Sequence, residues 1–193
     1  MNPSINAFVG REQELAALGA ALDDALSGQG RIVMLVGEPG IGKTRIAQEL
    51  AAIANARGFQ ALWGHCYEGE GAPPYWPWLQ VLRALVQQTD AETLRSEMGG
   101  GAAAINQIVP QVAERLLDMK PLPALDPEQA RFRLFDSITT FLKSAAKRQP
   151  LTLVLEDLHW ADHGTLDLLL HVSRNLVGSG PGARLLIVGT YRD

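Results

Sequence analysis

Two short stretches hold residues whose types and spacing could do chemistry: "GEPGIGKT" at residues 37–44 and "LTLVLED" at residues 151–157. The first fills every position of the pattern G-x-x-x-x-G-K-S/T. Gly37, Gly40 and Gly42 allow the backbone to wrap an anion with its N–H groups turned inward. The helix that follows adds partial positive charge at its N-terminus. Lys43 can then bridge the outer phosphates of a nucleotide, and Thr44 can offer its hydroxyl to Mg2+. Glu38, Pro39, Ile41 and Arg45 complete the set expected to contact the cofactor. A glycine turn that only joined a strand to a helix would need neither the lysine nor the threonine.

The second stretch is the only apolar run in the chain that ends in carboxylates, Glu156 and Asp157. Adjacent carboxylates repel, so a strand end is a costly place for them without a positive partner. The phosphate loop supplies one in the form of Mg2+ on a nucleotide. More than a hundred residues separate Lys43 from the acids, which leaves room for a whole βα unit and an insertion. A water-exposed acid pair with no ligand is the bland alternative.

The elements that must position these residues alternate. Residues 12–27 place Leu15, Leu18, Leu22 and Leu26 on one helical stripe. "RIVMLV" reads as a strand buried on both faces, residues 44–58 as a helix stopped by Gly58, and "FQALWGHC" as a second strand. Strand, helix and strand within this span form a βαβ unit with the usual right-handed crossover. "YEGEGAPPYWPW" is a loop, a helix occupies about 78–89, and the Ala- and Gly-rich residues 90–125 read as a helical insertion. Asp126 caps a long helix with Pro127 at its first position, and Phe132, Phe135, Ile138, Leu142 and Ala145 share one face. "PLTLVL", the helix "TLDLLLHVSRNL" and the strand "ARLLIVGT" follow, with Asp162 as a helix cap and Tyr75, Trp76 and Trp78 as packing residues. The expected fold is α/β, a mostly parallel doubly wound P-loop sheet with helices on both faces and a helical insertion, ending after its fourth strand.

Composition narrows the functions. Lys and Arg number 17 against 21 Asp and Glu, for a net charge of −4, so no broad nucleic-acid footprint is expected. Cys66 stands alone, which excludes an internal disulfide and a cysteine-rich zinc site. The four histidines show no metal-ligand spacing, and no apolar run is long enough to span a bilayer. A cytoplasmic protein without membrane contact is the expectation.

Five segments in order, "FVGREQELAAL", "GEPGIGKT", "YEGEGAPPYWPW", "LEDLHWAD" and "GTYRD", resemble the ATPase module of STAND-class AAA+ proteins. Such modules occur in large LuxR-family transcriptional regulators and beside some class III adenylate cyclase domains. The resemblance runs from Val9 to Arg192 and treats residues 1–193 as one ATPase domain, without the C-terminal helical and winged-helix parts. It implies that Val9, Gly10 and Arg11 lie over the adenine, and that Thr190 and Arg192 sense the γ-phosphate. It assigns Glu156 to the metal and Asp157 to the attacking water. A register shifted by one residue would instead put Asp157 on the metal and Leu158 at the position of the base.

The implied function is a switch that binds ATP·Mg2+ or ADP, hydrolyses ATP slowly, and passes the nucleotide state to downstream domains absent from this chain, of the DNA-binding or cyclase kind. A fast motor or loader ATPase, a P-loop kinase and a degenerate interaction scaffold are the alternatives. No Arg-rich lid segment favours the kinase, and the intact phosphate loop weighs against the scaffold. The resemblance also implies a fifth strand beside "RIVMLV"; without it that strand is an edge, and self-association is expected.

Overall fold

Short apolar runs flanked by amphipathic stretches give a four-stranded sheet covered on both faces. The computed structural model describes residues 11–69, 71–119, 122–176 and 182–193. Helix α1 (Glu12–Leu26) precedes β1 (Arg31–Val36), α2 (Lys43–Ala56) and β2 (Gln60–His65). Five helices follow: α3 (Trp76–Gln88), α4 (Ala91–Met98), α5 (Ala102–Asn106), α6 (Gln111–Arg115) and α7 (Pro127–Arg148). The chain then runs through β3 (Leu151–Glu156), α8 (His163–Leu176) and β4 (Leu185–Tyr191). All pairings are parallel and the strand order is β1-β4-β3-β2. The fold is therefore the expected α/β doubly wound sheet.

Period-2 alternation sorts the sheet residues between two cores. Leu186 and Val188 of β4 face α1 and α2, where they meet Leu18, Leu22, Ile46 and Leu50. Leu185 and Ile187 face the other side, with α3, α7 and α8. Every residue of β3 is buried, so its end is a low-dielectric setting for a carboxylate. The insertion α3–α6 packs Trp78, Leu82, Leu85, Leu94 and Ile105 into that second core. Each such fully buried side chain contributes roughly 1.5–3 kcal/mol of transfer free energy.

Local signals act where the sequence places them. The Asp126 carboxylate accepts from the N–H of Gln129 at 2.9 Å and caps α7, with Pro127 in its first turn. The Asp162 carboxylate accepts from the Thr165 N–H at 3.0 Å and from the Tyr75 N–H at 3.1 Å. Asp162 thus caps α8 and clasps the aromatic loop to it. Tyr75 itself takes a left-handed conformation, φ 63°, at the entrance to α3. Beside it, Gly64 of β2 admits α3, since a Cβ there would stand 2.2 Å from the Pro77 carbonyl oxygen.

Phe132 departs from the expected α7 face. It is 65% exposed, because the buried stripe comprises Leu134, Phe135, Ile138, Phe141, Leu142 and Ala145. On α8 the Phe132 ring rests edge-on against His171 at 5.6 Å. The helix expected at 78–89 starts two residues earlier, at Trp76. Leu26 ends the α1 stripe 37% exposed.

Candidate functional site

The loop between β1 and α2 bends through Gly40 and Gly42, whose φ angles are +79° and +99°. A side chain at either would be strained even though nothing stands within 4 Å, so the conformation, not crowding, demands glycine. The Lys43 ammonium folds back over this loop and donates to the carbonyls of Gly37 at 2.6 Å and Glu38 at 2.8 Å. An ammonium has three donors, so one remains for an anion held in the loop. Arg11 reaches the same loop from the start of α1, donating to the Ile41 carbonyl at 2.6 Å and pairing with Glu14 at 3.3 Å. Its partner is the loop backbone; Val9 and Gly10 lie outside the described residues.

A cleft of about 410 Å3 opens over the loop. Pro39, Gly40, Gly42, Lys43, Thr44 and Arg45 form one side, and Asp157 and Arg192 come from the ends of β3 and β4. Gln48, one turn further along α2, completes the described wall and was not singled out in the sequence. Arg45 is tied along the helix to Glu49 at 2.5 Å, whereas the Arg192 guanidinium has no partner among the described residues.

The two acids part company. Glu156 ends β3 only 4% exposed, and its Oε2 lies 2.7 Å from Nδ1 of His65, its register partner on β2. Its Oε1 is buried without a hydrogen-bond partner among the described residues. Asp157 turns the other way, with φ 57° and a side chain 43% exposed, and faces the phosphate loop across the cleft. A non-glycine residue in the left-handed region costs roughly 1–2 kcal/mol, and aspartate is one of the few that visits it. Thr190 holds that turn. Its hydroxyl oxygen accepts from the Asp157 N–H at 2.8 Å, and at 1% exposure the side chain is directed to the acid turn.

The His65–Glu156 and Thr190–Asp157 contacts were both invisible in the sequence. The one available signal for the first was a histidine at the tip of the strand beside the acids. Cys66 follows it, and burial, then the charges of Asp157 and Asp162, push its thiol up to about 12.

The donor set suits Mg2+. The Thr44 hydroxyl and the Asp157 carboxylate line one cleft, and Mg2+ is held by one or two carboxylates plus substrate phosphates rather than by an all-protein cage. Among the described residues no group of three or more His, Cys, Asp or Glu gathers to hold a metal. No helix among them is long and apolar enough to cross a membrane.

A parallel β1-β4-β3-β2 sheet with a glycine loop running into a lysine-headed helix, and an acid-tipped third strand, defines a P-loop ATPase fold. The chain belongs to the family described as "AAA ATPase domain", whose model matches residues 7–188. An uncharacterised protein of Rhizobium meliloti (strain 1021) is 28% identical over 198 residues, covering 96% of this chain and 18% of that protein. The crystal structure of Cdc6p from Pyrobaculum aerophilum superposes with a TM-score of 0.54 at 15% identity, over 100% of this chain and 42% of that one. This chain therefore spans less than half the length of either protein.

Proposed function

We propose that this AAA ATPase domain is the ATP·Mg2+-dependent switch of a larger STAND-class regulator, hydrolysing slowly and reporting ATP or ADP to DNA-binding or cyclase domains elsewhere in the protein. The observation that carries the reading is the convergence of Lys43, Thr44, Asp157 and Arg192 on one cleft. Lys43 and the loop N–H groups bind the outer phosphates, and Arg192 senses the γ-phosphate bidentately. Mg2+, when bound, neutralises charge on the β- and γ-phosphates. Thr44 and Asp157 would hold it, the shifted register, while His65 keeps Glu156 out of the cleft. Leu158, buried behind Asp157, offers no base in that register, which supports slow turnover. Arg11 orders the phosphate loop through Ile41 and leaves the adenine to the preceding residues. The match to a relative of more than five times this length supports an output located elsewhere.

The test is thermal unfolding with and without ATP and MgCl2, followed by steady-state turnover. Ligand at a hundred times Kd adds about 2.7 kcal/mol, or roughly 5–10 °C for a domain of this size. Lys43→Ala should lose most of that shift. An unchanged shift in the variant would refute the site. Turnover near or above ~1 per second would favour a motor over a switch.

A further inference from the structure

The helical insertion carries a second cavity that the nucleotide reading does not use. Its described walls are α4, the Gly99–Gly101 turn, residues 116–119 and 122–123 and the start of α7, and it measures about 510 Å3. That is within the range of small-molecule sites, roughly 300–1,000 Å3. It shares no described residue with the phosphate cleft. Ala102, Leu116, Met119 and Leu122 give it an apolar floor.

Two arginines line it among the described residues, Arg95 from α4 and Arg133 from α7. Arg95 has no hydrogen bond or ion pair from its side chain to a described residue. The Arg133 Nε is buried with no acceptor, and its Nη2 reaches only the Pro123 carbonyl at 3.5 Å. Asp118 is the one acid among the described lining residues, and it forms no ion pair with either arginine. A buried guanidinium N–H without an acceptor is costly, and a carboxylate is the acceptor its planar fork matches best. A fully hydrophilic anion would leave the apolar floor wet, and a neutral apolar molecule would leave the arginines unserved.

We propose that this cavity is a binding site for a small amphiphilic monocarboxylate, its carboxylate on Arg95 and Arg133 and its apolar body over Leu116 and Met119. The site stands on the insertion and the start of α7 and does not depend on nucleotide binding.

The test is isothermal titration of the intact chain with decanoate, with decan-1-ol and inorganic phosphate as companion probes. Decanoate should bind one to one and at least tenfold more tightly than decanol, and phosphate should not compete with it. Arg133→Met and Arg95→Met should each weaken decanoate by about tenfold to a hundredfold and leave decanol unchanged. Gly100→Leu should weaken both, because Gly100 lines the cavity and a Cβ there meets no atom within 4 Å. Arg95 is exposed on α4, so its variant reads the site even where Arg133→Met fails to fold. Decanol binding as tight as decanoate, displacement of decanoate by phosphate, or full decanoate affinity in the Arg95→Met protein would overturn the proposal.

Discussion

Replacing Thr190 by Val should separate the positioning of Asp157 from the binding of nucleotide. Valine keeps the shape of the side chain, which is 1% exposed, and removes only the oxygen that accepts from the Asp157 N–H at 2.8 Å. A buried donor left without an acceptor costs about 1–3 kcal/mol. This hydrogen bond is partly buried, so the donor regains some water and the lower half of that range applies. The left-handed Asp157 adds to the sensitivity, because the bond offsets part of its backbone strain. A loss of about 1–2 kcal/mol corresponds to roughly 2–8 °C in Tm at this chain length. Urea unfolding and a melting curve measure it, with Thr190→Ser as the control that retains the oxygen. The Kd for ATP should change little, since Lys43 and the phosphate loop are untouched, while turnover falls as the Asp157 turn loosens. A Val variant as stable as the parent, or one that loses ATP affinity in proportion to its stability, would refute the reasoning.

Three further outcomes follow from the same geometry. Asp157→Asn should make nucleotide binding less dependent on Mg2+, whereas Glu156→Gln should do so weakly; the exchanged pattern, read by titrating MgCl2 against ATP affinity, would return the metal to Glu156. β1 pairs only with β4 among the described residues and leaves Met34 42% and Val36 55% exposed, so the chain should self-associate with rising concentration. Val36→Lys should reduce that association in light scattering, and a monodisperse parent would show the edge is protected. Cys66, with its thiol raised to about 12, binds its proton more tightly folded than unfolded, so its contribution to stability is present below about 9 and lost between about 9 and 12. Its modification by a disulfide reagent at pH 8 should be slow in the native protein and fast in urea; equal rates would contradict the burial.

What the sequence by itself determined was local in origin. The phosphate loop is legible because glycine at positive φ, a lysine and a threonine must follow one another within eight residues. Asp126 and Asp162 are legible as caps because a cap acts on the N–H groups two or three residues ahead. Strand and helix alternation is legible from periods of 2 and 3.6, and it fixes the class of sheet. Tertiary structure decided which neighbouring side chain takes which direction. Glu156 and Asp157 are adjacent in sequence, yet the register of β3 against β2 sets one on His65, and the left-handed turn held by Thr190 sends the other to the cleft. Arg11 meets Ile41 across thirty residues, and Phe132 keeps the period of α7 but lies beyond the elements that bury its neighbours. Those outcomes depend on contacts between segments remote in sequence, and no local pattern encodes them.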